Sequence, residues 1–556
     1  FRLNDLIGTD IMVHVNQNLY PAIAGDESRE VLNHPASHAL LKQMLDGGML
    51  GNKAQQGFYK RVDQPDGSRE FWELNLQTLE HEPPAKVRFD SVGKHRKIED
   101  AGARIKAMVN EEDRAGQYLW HLHAFYLTYA ARRLGEIADD IPSIDNANKW
   151  GFNHELGPFE IWDALGVADT IPRFEADGYA VAQWVKDMVA AGHLTFYQQD
   201  ERGITVGVYD PAAAKYVPLK ADPKAVVIRD LRAAGKKIEG LPGASLIDMG
   251  DGVVLLEFHS KANAIDDDII KMGWKALDRL ASDFDGLVVG NQGDHFSAGA
   301  NIFLIAMLAQ QGEWDQINAI THELQSLFQA MRYASKPVVT APFGMALGGG
   351  AEFTMAGARA VAHAELYIGL VEIGVGLIPA GTGCKELLRR RVNPVMQTPN
   401  ADALPHLLAV FENIALAKVS ESAKQARELG FLGPCDRIVL NKDHLLVEAK
   451  REVLHLAASY TPLPPQQIWA AGRDALAALR MAVYTLHEGG FATDHEKLIA
   501  DKIAYVLCGG DLTEPGWVPE QYILDLEREA FVELCREPKT HERIAHMLQY
   551  SKPLRN

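Results

Sequence analysis

The sequence predicts a multidomain chain: two all-α units, then an α/β domain, then a helical C-terminal region. Three observations carry this. The pattern F-x-aliphatic-x-D-x-aliphatic-G occurs at Phe1–Gly8 and again at Phe159–Gly166. Short β-branched runs alternate with helical stretches through the middle of the chain, as a layered strand–helix fold requires. From Pro465 onward, Leu476, Leu479, Val483 and Leu486 recur at helical spacing. The expected boundaries are 1–95 for the first helical unit with its linker, 96–240 for the second, 241–464 for the α/β domain and 465–556 for the helical end.

Each element has its own signal. Met44–Leu50 parallels Met188–Leu194, and Gly57-Phe58-Tyr59 parallels Gly207-Val208-Tyr209, so the first unit reads as a partial copy of the second. Residues 62–98 are polar and Pro-dotted, which suits a linker. Residues 112–137 are apolar on most faces and read as a buried helix, followed by a shorter one over Ile144–Trp150. The first copy has no such helices, so the chain is expected to start inside a domain. A break near 236–252 precedes a buried strand at 252–260, a helix over Ile265–Ser282 and strands at 285–290 and 336–341.

Bulk properties exclude several classes. The chain has 556 residues, 47% hydrophobic and 23% charged, which is ordinary globular composition. A formal net charge of −18 argues against a general nucleic-acid binder, which needs a basic footprint. Four cysteines, at 384, 435, 508 and 535, form no CxxC. Neither a zinc ribbon nor a disulfide framework is indicated, and a cytoplasmic location fits. No apolar run reaches the ~18 residues of a membrane span. The first residue is Phe1 rather than Met, which fits a cut or processed chain.

Three glycine-rich stretches could carry chemistry. Gly344-Met-Ala-Leu-Gly348-Gly349-Gly350-Ala-Glu352 follows a strand and opens a helix. Such a turn exposes unpaired amides at a positive dipole end, a good place for an anion; a tight packing turn would need the same glycines. His295-Phe-Ser-Ala298-Gly299-Ala300-Asn301 also lies between a strand and a helix, and alone it reads equally as a loop. In Gly369–Gly383, Glu372 sits among aliphatic residues and glycines. Burial there would raise its pKa toward neutrality; an ordinary surface glutamate is the alternative.

Together with Lys261-Ala262-Asn263-Ala264, these stretches resemble the crotonase superfamily, and within it the enoyl-CoA hydratases, over about residues 250–460. The resemblance implies a ββα-superhelix fold. It implies an oxyanion hole from the amides of Ala300 and Gly349, and two catalytic glutamates, Glu352 and Glu372. It further implies substrate contacts at Ala262, Asn263, Ala264, Ala298, Gly299, Asn301 and Gly348. The substrate would be an acyl-CoA thioester, with no cofactor needed for hydration. An enoyl-CoA isomerase and a non-catalytic CoA-thioester-binding subunit are the alternatives; the Glu pair disfavours the latter.

The duplicated segments, above all Gly157-Pro-Phe-Glu-Ile-Trp-Asp163, resemble the C-terminal helical domains of 3-hydroxyacyl-CoA dehydrogenases. Leu526–Phe531 and His546–Asn556 look like the same bifunctional β-oxidation proteins. That resemblance implies a homo-oligomer that can associate with a thiolase. The family's NAD-binding unit, with its GxGxxG and catalytic His, has no counterpart here, and Gly374-x-Gly376-x-x-Pro379 breaks that pattern. NAD-linked dehydrogenation is therefore expected only of a longer parent.

Other features read as structural. His322-Glu323 lacks the second His of HExxH. His121 and His123, two apart on a helix, point to different faces. Arg389-Arg390-Arg391 reads as a solvated helix end, with contact to CoA phosphates as the alternative, and nothing marks Cys384 as a nucleophile.

Overall fold

A computed structural model of the protein describes residues 1–64, 69–220, 222 and 224–556. The chain forms two compact units. One is Phe1–Tyr197 with Val208–Val217; the other is Gln198–Gly207 with Pro218–Asn556.

In the first unit, the repeated aspartate does the same work in both copies. Asp5 accepts hydrogen bonds from the amides of Phe58 and Tyr59, both at 2.8 Å. Asp163 accepts from Phe196 at 2.7 Å and from Tyr197 at 2.9 Å. The glycine ending each motif has positive φ, +112° at Gly8 and +97° at Gly166, where a side chain would be strained. Met44 and Met188 are fully buried, and each accepts at its carbonyl from the residue five positions on, Met49 and His193. The third sequence pairing is corrected: the counterpart of Phe58-Tyr59 is Phe196-Tyr197, not Val208-Tyr209. Loop lengths differ between the copies, so the aspartate's partners and not the residue letters fix the register.

Two further expectations are revised. Asp90–His95 of the 62–98 linker is a short helix, and part of the linker is sheet: Tyr59–Asp63 pairs antiparallel with Arg69–Leu74, and that strand with His81–Glu82. Its polar composition follows from one-sided burial, since Leu74 joins Met44 and Phe58 while its neighbours face solvent. Residues 65–68 of that linker lie outside the described residues. The long helix runs over Arg114–Arg133, capped by Asp113, and is amphipathic within this unit. It buries Trp120, Ala124, Leu127 and Ala131, while Tyr118 and Leu122 stay exposed.

The second unit is built on a seven-stranded sheet. Its order is Arg437–Val439, Arg359–His363, Val338–Thr340, Gly286–Gly290, Val253–Phe258, Ala244–Asp248 and Lys237–Gly240. The first five strands are parallel, with Leu255 beside Val288 and Val288 beside Val339. The last two add antiparallel. Every residue of Val253–Phe258 and Gly286–Gly290 is buried, which is why those runs lack polar alternation. A second, two-stranded parallel sheet joins Gly344–Leu347 to Leu366–Gly369. The end of the chain carries four helices, Gly472–Glu488, Asp494–Leu507, Glu520–Cys535 and Pro538–Tyr550. It is not all helical: Gln467–Ala470 and Gly516–Pro519 pair as an antiparallel ribbon, burying Ile468 and Ala470 on one face. Among the described residues no helix is long and apolar enough to cross a membrane.

Candidate active site

The two glycine-rich turns that follow strands Gly286–Gly290 and Val338–Thr340 meet. Ser297 donates its amide to Met345 O at 3.1 Å and accepts at its carbonyl from Leu347 N at 3.0 Å. Its hydroxyl donates to Asn263 O at 2.8 Å and accepts from Gly299 N at 3.1 Å. This serine therefore ties the 261–264 turn to both others. Sequence reasoning missed it because its partners are backbone atoms. Ala262 and Asn263 hold positive φ of 54° and 50°, and Ala262 O accepts from Ala298 N. Ala264 O accepts from the Ser260 hydroxyl. Ala300 N and Gly349 N are brought close: a Cβ on Gly349 would lie 3.3 Å from Ala300 N, and one on Gly299 would lie 3.5 Å from Gly349 N. Among the described residues neither amide donates a hydrogen bond. Gly349 opens the helix Gly349–Ala356, so its amide has no intrahelical acceptor. The Asn301 side chain is turned to capping, accepting from Leu304 N as helix Ile302–Gln311 begins.

Glu352 lies in the first turn of that short helix and is buried. Its Oε1 accepts from Thr382 N at 2.8 Å and Gly383 N at 2.7 Å, the start of helix Gly383–Arg391. The Gly381-Thr382-Gly383 turn wraps the carboxyl so tightly that a Cβ on Gly381 would stand 2.4 Å from Oε2. Burial pushes the Glu352 pKa up, and the amides oppose it. Glu372 begins a short turn after strand Leu366–Gly369. A Cβ on Gly348 would stand 3.0 Å from its Oε1. The residue is half-buried overall, but its Oε2 is buried and, among the described residues, without a hydrogen-bond partner. Burial, with the Glu352 charge added, raises its pKa well above the ordinary carboxylate range.

The Glu372 loop is braced by the C-terminal helices. Arg543 donates to Ile373 O at 3.0 Å, and Thr540 to Gly376 O at 2.9 Å. Gln325 Nε2 bridges Ala380 O and Leu524 O. Glu527, fully buried, accepts from Lys385 N at 2.7 Å, in the same first helical turn whose Gly383 N holds Glu352. None of these braces has a local sequence signal, because each partner is more than a hundred residues away or on the backbone.

Two readings of side chains can be compared with their surroundings. Arg389 and Arg390 are not a solvated helix end: their side chains are only 12% and 13% exposed and both pair with buried Glu386. Despite its burial, Glu386 is held well below the usual range by the charges of Arg389 and Lys385, which draws these arginines inward. Cys384 is buried, and burial with the Glu527 charge pushes its thiol well above the ordinary value. Gly374 and Gly376 lie in the Glu372 turn, and a Cβ on Gly376 would meet Thr540 Cα at 2.8 Å. That stretch leaves no room to cradle a dinucleotide pyrophosphate.

Residues 248–396 match the family Enoyl-CoA hydratase/isomerase. A probable 3-hydroxyacyl-CoA dehydrogenase of Bacillus subtilis is 41% identical over 565 aligned residues, covering 100% of this chain and 68% of the relative. A putative fatty acid oxidation complex trifunctional enzyme of Rickettsia felis is 22% identical, covering 98% of this chain and 66% of the relative. A crystal structure of an enoyl-CoA hydratase from Mycobacterium avium subsp. paratuberculosis aligns with 57% of this chain and 100% of its own, at 18% identity and a TM-score of 0.37. The chain thus spans about two thirds of the length of these curated relatives. It belongs to the 3-hydroxyacyl-CoA dehydrogenase family of fatty-acid β-oxidation enzymes and carries that family's enoyl-CoA hydratase/isomerase domain, of crotonase fold, in its C-terminal part.

Proposed function

We propose that the second unit hydrates 2-enoyl-CoA thioesters to 3-hydroxyacyl-CoA. The observation that carries this is the pair of free amides, Ala300 and Gly349, set beside two coupled carboxyl groups, Glu352 and Glu372. In this reading the thioester oxygen accepts from both amides. The two carboxyls share one proton, which rests on Glu372, the group whose Oε2 has no donor. Glu352, held as carboxylate by Thr382 N and Gly383 N, takes a proton from water as the water oxygen bonds to Cβ. The C=C π pair moves toward the thioester, and the oxyanion is stabilised at the amides, typically worth ~2.7–4 kcal/mol per donor. Glu372 then protonates Cα. Transfer of one proton between the carboxyls restores the pair.

The CoA portion is assigned to the cavity of about 570 Å³ lined by Ala262, Asn263, Arg229 and Arg232. Ala264, Ala298, Gly299, Asn301 and Gly348 complete the turns around the thioester. Units 1–95 and 96–240 are assigned as dehydrogenase C-terminal-type helical domains, supported by the full-length match to the Bacillus subtilis relative. The dehydrogenase activity in that relative's name is assigned to a longer protein than these 556 residues.

The test follows the enoyl-thioester absorbance of crotonoyl-CoA. The expected result is its loss, with 3-hydroxybutyryl-CoA as product, and no detectable turnover in the Glu352→Gln/Glu372→Gln double variant. Full activity in that variant overturns the assignment.

A further inference from the structure

The arginines at the end of helix Gly383–Arg391 border a second cavity of about 470 Å³ in the second unit. It sits where strands Arg359–His363 and Arg437–Val439 begin, whereas the catalytic turns follow the ends of strands Gly286–Gly290 and Val338–Thr340. Arg332, Arg359, Arg389, Arg390, Arg391 and Arg427 all line it.

The carboxylates nearby do not neutralise this charge. Glu386 is committed to Lys385, Arg389 and Arg390. Asp436 accepts from Ala360 N and Gly433 N and reaches Arg390 only at 3.9 Å. Among the described residues, Arg332, Arg359, Arg391 and Arg427 have no carboxylate within 4.0 Å. Arg332 is only 7% exposed; its Nη1 donates to Gly357 O at 3.0 Å, and among the described residues its Nε has no hydrogen-bond partner. Arg427 donates its Nη2 to Asp436 O at 2.6 Å, and its buried Nε is likewise without a partner among the described residues. Leaving a buried charged donor unmade is costly, and six guanidinium groups around one hollow repel one another. Burial and the neighbouring Arg389 lower the Arg390 pKa to about 10.

We propose that this cavity binds a small phosphate-bearing anion, gripped by Arg359 and Arg391 at its mouth and by the unpartnered Nε of Arg332 within. Guanidinium forks match phosphate oxygens in pairs, and a multiply charged anion offsets what Glu386 and Asp436 leave over. The site is independent of the hydratase reading, since it uses none of the same residues.

Cys435 provides a local reporter. It lines the cavity and is exposed, whereas Cys384, Cys508 and Cys535 are buried. Iodoacetamide labelling of Cys435 in the whole chain is followed by mass spectrometry with added pyrophosphate, ADP or CoA. Saturable protection of at least about tenfold is expected, and its loss in the Arg359→Ala/Arg391→Ala variant with the unprotected rate and circular dichroism unchanged. Protection by pyrophosphate alone identifies free phosphate species as ligand; stronger protection by ADP or CoA identifies a nucleotide. Absence of protection by all three, protection undiminished in the variant, or protection by polyglutamate alone overturns the proposal. If the double variant does not fold, single Arg391→Gln is read by the same criteria.

Discussion

Gly348 concentrates several demands at one position. Its φ of 52° and ψ of −120° suit glycine and strain any L residue. Its amide is spent on Gly369 O, and a Cβ would press on Glu372 Oε1. In Gly348→Ala, kcat for crotonoyl-CoA should fall by about 10²-fold or more, the cost of losing one aligned amide, with the secondary structure intact by circular dichroism. The carboxyl pair sets the pH profile. Both groups titrate above the ordinary range, and the active form holds one proton. The logarithm of kcat/KM should therefore decline on the alkaline side as Glu372 loses that proton, and on the acid side as Glu352 gains one. A profile flat through the neutral range would remove the coupled-pair account. At this scale the sequence was informative where the residue type itself is required. Glu352 and Glu372 stand in glycine-marked stretches, while Ala300 and Gly349, which act through their backbone amides, were singled out only by the resemblance to the crotonase superfamily. Ser297, Thr382 and Lys385 were invisible because they act through backbone atoms or on them.

The helical copies of the first unit show what a motif means at the level of elements. The Asp163 carboxylate joins one helix to the segment beginning at Phe196 by accepting hydrogen bonds from two backbone amides. Asp163→Ala leaves two donors unmade and should cost about 2–4 kcal/mol in the denaturant unfolding of this unit. The strand–helix alternation of the second unit was legible because its core strands are mostly β-branched and aliphatic runs buried along their whole length. The ribbons at Tyr59–Leu74 and Gln467–Pro519 were not, since each buries only a few side chains on one face. Helix Glu520–Cys535 gives a further test through Glu527. Its burial holds the folded-state pKa well above the unfolded value. The neutral form's stability is thus complete below the unfolded pKa and is lost as pH rises through the folded one. Glu527→Gln keeps the acceptor for Lys385 N and does not titrate, so the melting temperature of the variant relative to the parent should climb with pH.

At the scale of the whole molecule, hydration is proposed for the second unit and NAD-linked dehydrogenation for a longer protein. No G-x-G-x-x-G follows a strand in these residues, and the nearest glycine pair is filled by Thr540. Calorimetric titration of residues 1–556 with NAD should give no micromolar binding, and 3-hydroxyacyl-CoA should not be oxidised; tight binding would mean the helical units do more than assigned. The strand–helix alternation of the second unit could be read from texture along the chain, whereas the braces from the last helices to the Glu372 loop join positions up to 170 residues apart and leave no trace in any local window. Those braces set a schedule for biosynthesis. Every residue assigned to the thioester chemistry has been made once Gly383 leaves the ribosome, yet Lys385 N must still wait for Glu527, Gly376 O for Thr540 and Ile373 O for Arg543. A chain ending before helix Glu520–Cys535 would carry the whole motif set without these braces, and is expected to hydrate crotonoyl-CoA more slowly than residues 1–556 in the same absorbance assay.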